Sequence, residues 1–396
     1  MSNNISDQKT WVEISKKNLK SNLSQFRNLI GKERKLMAVV KSNAYGHGLV
    51  EVAKIAQESG ANWLGVDSID EAIELKQNGL ELPILILGYI LKSRLKEVVE
   101  NGFRLTVYNR ETIGELGKIT NSKIQITNKF QNSNCKKQKI NIHIKVETGT
   151  SRQGVLKEDI LDFVKFIKKF ENINIEGIST HYANIEDTTD HSYAKSQLEK
   201  FKKIVELLED KSFNIPIKHT ACSAATVLFP ETYFNMVRLG ISMYGHWSSR
   251  ETQVSAKERG RKLELKPVLT WKTIVAQVKM IKAGTPVSYG ITEKVSQDTK
   301  IAILPIGYWD GFDRGLSSVG NVLIKGKRCK ILGRICMNMV VVDVNHVEKI
   351  KPEDEVVIIG KQGDEEITAE EVAGKIGTIN YEVLTRINPR ILRVVV

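Results

Sequence analysis

Trp63-Leu64-Gly65-Val66, then Asp67-Ser68-Ile69-Asp70-Glu71-Ala72-Ile73-Glu74-Leu75, then Gly79, reads as one complete strand-and-helix unit. The first run is short and apolar. The second opens on a capping Asp67 and an acidic first turn, and Gly79 stops it. The same alternation recurs through the first two-thirds of the chain. Strand candidates are Leu36–Lys41, Trp63–Val66, Pro83–Gly88, Arg104–Val107, Ile140–Thr148, Ile173–His181, Ile215–Cys222 and Asn235–Tyr244. They are rich in Val, Ile and Leu, as strands covered on both faces should be. Helical periodicity lies between most of them; Leu198, Phe201, Ile204, Val205, Leu207 and Leu208 form one such stripe. Eight units over about 230 residues predict an α/β class fold, a (β/α)8 TIM-type barrel. An open doubly wound sheet is the alternative, weakened because no Gly-x-Gly-x-x-Gly follows the first strand.

The pattern changes near residue 250. Ser248–Lys262 is polar, lacks apolar periodicity and reads as a linker. Short alternating strands follow at Leu269–Lys279, Ile301–Ile306, Val322–Ile324, Arg328–Ile335, Val340–Val344 and Glu355–Ile359, with glycines between them. They predict a smaller, mainly β domain. The expected domains are 11–247 and 263–396. Asn121–Lys139, rich in Asn, Lys and Gln, reads as a surface insertion.

The chain has 396 residues, 41% hydrophobic and 27% charged, within the ordinary soluble range. No run is apolar enough for a membrane span, and Met1–Lys9 lacks a signal-peptide core. The net charge of +13 is concentrated in Lys118–Lys139 and Lys257–Lys272. Neither segment interleaves aromatics as a single-strand binder does, so a solvated surface is preferred to a nucleic-acid site. Cys135, Cys222, Cys329 and Cys336 are widely spaced. Free thiols in a cytoplasmic protein are the expectation.

In a barrel, chemistry sits where strands end. The first strand closes on Lys41, followed by Ser42-Asn43-Ala44-Tyr45-Gly46-His47-Gly48. A lysine closing a buried strand is costly unless used or solvated at the rim. Burial lowers its pKa and frees the amine as nucleophile or base. Glycines beside it admit close approach of a ligand. The stretch Val39–Gly48 resembles the pyridoxal phosphate attachment segment of alanine racemases. Ile144–Gly154, Glu176–Ala183, Asn235–Ile241, Val287–Gly290, Pro305–Gly311, Gly333–Met337 and Asn380–Glu382 resemble further segments of that family, in order, from about Trp11 to Arg390.

The resemblance implies that Lys41 carries pyridoxal 5'-phosphate as an imine and, once freed, is one proton carrier. Tyr289 is the second, on the opposite face of the substrate; a free phenol titrates near pH 10, so it needs help, which His181 supplies. Arg238 meets the ring nitrogen and has no proton to give, which favours racemisation over transamination. Its place inside the apolar run Met236–Ile241 argues against a surface ion pair, and His219 orients it. Arg152 meets the cofactor's phenolic oxygen and the substrate carboxylate, and Lys145, carbamylated in many members, orients Arg152. Tyr45, Ser223 and Tyr381, with the backbone of Gly240 and Ile241, hold the phosphate. The family also implies a homodimer in which Tyr289, Tyr308 and Met337 serve the partner's barrel. No metal is implied.

Three residues depart from the common pattern: Cys222 stands where many members have Asn, Asn338 where many have Asp, and Glu147 for Asp. The expected activity is interconversion of L- and D-alanine for peptidoglycan. A serine or broad-spectrum amino-acid racemase of the same fold is the alternative. A barrel-type decarboxylase predicts an acid in place of Arg238. A binding module without turnover is disfavoured by the pairing of Lys41 with Tyr289.

Overall fold

Eight short strands, seven of them within runs expected above and the eighth, Lys35–Val39, beginning one residue before its run, form an all-parallel sheet in the computed structural model, which describes residues 5–119 and 139–396. In spatial order they are Ile217–His219, Ile173–Ser179, Ile140–Lys145, Arg104–Val107, Ile84–Ile86, Trp63–Val66, Lys35–Val39 and Met236–Leu239. Hydrogen bonds from Asn235 N–H to the Lys218 carbonyl (3.1 Å) and from Arg238 N–H to the Ala221 carbonyl (3.1 Å) join the last strand to the first. The sheet is therefore barrel-like, with helices such as Ile69–Gln77, Ile160–Ile167 and Ser192–Glu209 between its strands. Trp63–Val66 and Met236–Leu239 are buried at every position, because one face meets the helices and the other the barrel interior. The expected insertion at 121–139 lies, except for Lys139, outside the described residues.

Chain packing gathers two compact units. The barrel unit comprises Lys20–Lys41 and Ala53–Leu265; the β-unit comprises Met1–Leu19, Ser42–Val52 and Lys266–Val396. The β-unit's main sheet includes Thr10–Ile14, which pairs antiparallel with Leu269–Ile274 and parallel with Leu392–Val395. Both termini of the chain thus enter one sheet, although Trp11 falls in the range expected for the barrel.

Several local expectations are corrected. Ser248–Lys262 is not a linker throughout: Arg250–Glu258 is a helix whose cap, Ser249, accepts from Thr252 N–H at 2.9 Å. It buries Thr252, Ser255 and Ala256, small side chains that leave no apolar stripe to read. Asn235–Tyr244 is a strand only over Met236–Leu239, after which Ile241–Tyr244 forms a 3-10 turn. Leu269–Lys279 is two strands, Leu269–Ile274 and Gln277–Ile281, with different partners. The cap of the helix at Ile69 is Ser68 rather than Asp67, in a reciprocal box with Glu71. Among the described residues Cys222, Cys329 and Cys336 are free thiols, and no helix is long and apolar enough to cross a membrane.

Candidate active site

Arg238 is the centre of the barrel's polar interior. It sits on the last strand, 7% exposed. One terminal nitrogen donates to His219 Nδ1 (2.9 Å) and to the His219 carbonyl (2.9 Å). The other donates to the carbonyls of Thr180 (2.9 Å) and Thr220 (2.8 Å) and lies 3.5 Å from His181 Nδ1. A guanidinium carries five hydrogens. Four are thus committed, and the Nε–H has no partner among the described residues. Burial lowers the Arg238 pKa from its ordinary value, yet the ordinary value is high enough for the group to remain a cation.

Burial shifts the titratable neighbours of this cation toward their neutral forms. Burial, followed by the charges of Lys145, Arg238, Arg152 and Lys41, pushes the His181 pKa far below the usual imidazole value. Its carbonyl accepts from Thr150 Oγ1 at 2.6 Å and Gln197 Nε2 at 3.2 Å, which fixes its strand end. Burial, then Arg238 and Arg152, pushes the Lys145 pKa well below its ordinary value. Cys222 is driven up to about 11, by burial first and then by Glu186, and stays a thiol.

Lys41 follows the strand Lys35–Val39, with its Nζ 3.6 Å from Asp67 Oδ1. Asp67, expected as a helix cap, instead lies beside the lysine. The chain then makes a left-handed turn in which Ser42, Asn43, Ala44 and Tyr45 have φ between +50° and +56°. None is glycine, and each costs about 1–2 kcal/mol in this conformation. Within the β-unit the turn is clamped. Gly46 approaches so closely that a Cβ would stand 2.0 Å from the Leu384 carbonyl oxygen. Its own carbonyl accepts from Arg393 Nε (3.2 Å) and a terminal nitrogen (3.0 Å). The rings of Tyr45 and Tyr381 lie 6.0 Å apart. Arg393, whose pKa burial lowers to about 10, was not singled out from sequence.

Arg152 is exposed on a loop shaped by Glu147. That carboxylate accepts backbone N–H bonds from Gly149, from Thr150 (2.6 Å) and from Arg152 (3.3 Å). Burial opposes its ionisation, but the backbone donors outweigh burial and hold its pKa below the usual carboxylate value. The change from Asp to Glu therefore sits in the loop's foundation. Ser223 Oγ accepts from the N–H groups of Gly240 (3.0 Å) and Ser242 (3.4 Å), leaving its own hydrogen to donate. The Gly240 amide, expected at a phosphate, is thus committed to Ser223. Ile241 opens the following turn, where N–H groups lack intrahelical partners.

The β-unit's residues stand at its surface. Tyr289 tips the hairpin of Pro286–Val287 and Glu293–Lys294 and is 72% exposed. Tyr308 is 43% and Met337 54% exposed. Their loops are pinned together by Tyr308 N–H to the Cys336 carbonyl (3.1 Å) and Trp309 N–H to the Met337 carbonyl (3.0 Å). Asn338 follows Met337 and is exposed.

A permanent cation with one uncommitted donor, a serine hydroxyl beside turn amides and a rim lysine are groups that could hold a flat nitrogen heterocycle bearing a phosphate and an aldehyde. Residues 14–247 match the model of the alanine racemase N-terminal domain, and 268–395 that of its C-terminal domain. An alanine racemase of Methanococcus maripaludis is 42% identical over 97% of this chain and 98% of its own length. One from Leptospira interrogans is 38% identical over 98% and 96%. Among solved structures, the alanine racemase of Clostridium difficile 630 superposes with a TM-score of 0.88 at 35% identity, covering 98% of this chain and 96% of that one. That of Bacillus anthracis with bound L-Ala-P gives 0.89 at 34%, covering 98% and 95%. Two matched domains, full-length identity and a shared barrel place this chain in the alanine racemase family.

Proposed function

We propose that this chain interconverts L- and D-alanine with pyridoxal 5'-phosphate, in the cytoplasm, supplying D-alanine for peptidoglycan. The observation that carries this reading is Arg238, buried, held by four hydrogen bonds and left with a single uncommitted donor. When bound, the cofactor withdraws electrons from Cα of the amino acid and so weakens its Cα–H bond.

The protein's residues do the rest. Lys41 would hold the cofactor through its side-chain nitrogen, and its free amine would take or return a proton on one face of Cα. Tyr289 does so on the other face. Arg238 would hold the ring nitrogen through its Nε–H, and as a guanidinium it has no proton to release. Such a donor would leave the cofactor a modest electron sink, which would favour prompt return of the proton to Cα over transamination. His181, neutral beside the cations, has a lone pair to offer the Tyr289 hydroxyl. Arg152 binds the substrate carboxylate with the Met337 backbone, and Tyr308 narrows the entrance. The Ser223 hydroxyl and the Ile241 amide of the barrel unit would hold the phosphate. Burial holds the Lys145 pKa well below its ordinary value, which favours the free amine that attacks carbon dioxide: its nitrogen bonds to carbon, a proton leaves, and the resulting carbamate pairs with Arg152.

Tyr289, Tyr308 and Met337 are exposed, and each serves the barrel of a second copy in a homodimer. Ile291, Trp309 and Met339, also exposed, add apolar area suited to an interface.

The test is an absorbance spectrum of the full chain with pyridoxal phosphate, before and after borohydride, with the modified peptide mapped. Attachment at Lys41, and faster turnover of alanine than of serine or lysine, are expected. Attachment elsewhere, or lysine as the faster substrate, overturns the reading.

A further inference from the structure

A line of polar side chains continues from Arg238 through the barrel interior, away from any group assigned to chemistry. His219 Nε2 lies 2.9 Å from His143 Nδ1. His143 Nε2 lies 3.3 Å from Glu176 Oε2. The same oxygen accepts from Arg104 Nε at 3.2 Å, and the Arg104 guanidinium lies 5.2 Å from the centre of the Trp63 ring. The five residues come from five strands that neighbour one another in the barrel. His143 and His219 are fully buried. Space for the His143 ring is made by Gly177, where a Cβ would stand 2.3 Å from Nδ1, and the edge of Trp63 packs on it at 5.4 Å.

The ends of this line dictate its middle. Arginine can only donate, so His219 Nδ1 must present a lone pair, and a neutral ring then carries its proton on Nε2. That hydrogen points at His143 Nδ1, which must accept, so His143 also carries its proton on Nε2. This hydrogen in turn meets a carboxylate, which can only accept. No reversed arrangement satisfies both ends. Burial lowers the pKa of both rings, and Arg238 lowers that of His219 further. For Glu176, burial opposes ionisation, but the bond from His143 and the charge of Arg104 prevail, and it stays ionised. Each bond polarises the next in the same direction.

We propose that Glu176 and His143 are positioning residues for catalysis: through His219 they lock the guanidinium of Arg238 as a one-way donor with its Nε–H aimed at the cofactor's ring nitrogen. This rests on the role given to Arg238 above. A simple salt bridge between Glu176 and Arg104 would stabilise the barrel without reaching His219.

The test uses the full chain labelled with 15N-histidine, with and without pyridoxal phosphate. Both rings are expected to carry the proton on Nε2 and not to titrate between about pH 5.5 and 8.5, in the presence of the facing charges of Arg238, Arg104, Lys145 and Glu176. A proton on His219 Nδ1, or titration of either ring in that range, overturns the relay, and this measurement needs no variant. Glu176→Gln keeps the shape and an acceptor but removes the charge. It is expected to shift the His219 nitrogen signals and to lower kcat about tenfold with KM for alanine little changed. Glu176→Asp should recover part of kcat. Unchanged His219 signals with unchanged kcat overturn the positioning role. If the cofactor does not bind, the reading of Arg238 fails, while the tautomers still decide the relay.

Discussion

The two units store their chemistry in opposite ways. In the barrel unit, the candidate groups are buried and already tied: Arg238 holds four acceptors, burial holds the pKa values of His181 and Lys145 well below their ordinary values, and Ser223 is fixed by two amides. In the β-unit, Tyr289, Tyr308 and Met337 stand in solvent on loops pinned to one another. Pre-paired buried groups define an environment before any ligand arrives. Exposed groups on a rigid platform become useful only when a surface covers them. On the proposed reading, one unit would carry the electrostatics of the reaction and the other a reagent to be delivered.

The largest effects should come from removing one proton carrier on each unit. Lys41→Ala and Tyr289→Phe are each expected to lower racemisation by about 10²–10⁴-fold. Co-refolded in equal amounts, the two variants should recover about a quarter of wild-type activity, because half the dimers would hold one intact shared site. No recovery on mixing would mean that each chain supplies its own tyrosine.

Acid should separate the units next. His143, His181 and His219 of the barrel have folded pKa values below the unfolded value of about 6.5. The unfolded chain therefore takes up protons first, and stability falls as pH drops from about 6.5 toward the folded values. Each histidine contributes at most about 1.4 kcal/mol per pH unit in that window. Urea midpoints at pH 7.5 and 5.5, followed by hydrogen exchange, should show the barrel strands weakening more than the β-unit's sheet. Equal weakening would contradict the contrast.

Gly46→Ala attacks the clamp on the left-handed turn. With φ at +84° and the Leu384 carbonyl in the way, it should cost about 2–3 kcal/mol by thermal unfolding and weaken cofactor retention. Glu147→Gln removes the charge under the Arg152 loop and should raise KM for alanine up to about tenfold with kcat nearly unchanged. Cys222→Asn should be the mildest, within about 1 kcal/mol of wild type, since the thiol is not ionised and only packing changes.

Much of the barrel was legible in the sequence because parallel strands buried on both faces must be continuous apolar runs; Trp63–Val66 and Arg104–Val107 are read to the residue. The helix Arg250–Glu258 was not, because its buried face is Thr, Ser and Ala. The strand Thr10–Ile14 was missed because its partners lie more than 250 residues away. Lys41, Arg238 and Tyr289 are visible through their motifs. Glu176, His143 and Arg393 are not singled out by local pattern: each matters through partners on other strands, and only the closed sheet and the C-terminal clamp bring those partners within bonding distance.

The most direct measurement is exchange of the Cα hydrogen with deuterated water, followed separately from L-alanine and D-alanine, in Tyr289→Phe. One carrier remains, so exchange should persist from a single enantiomer and collapse from its mirror image. Undiminished exchange from both would show that an amine and a phenol do not divide the two faces between them.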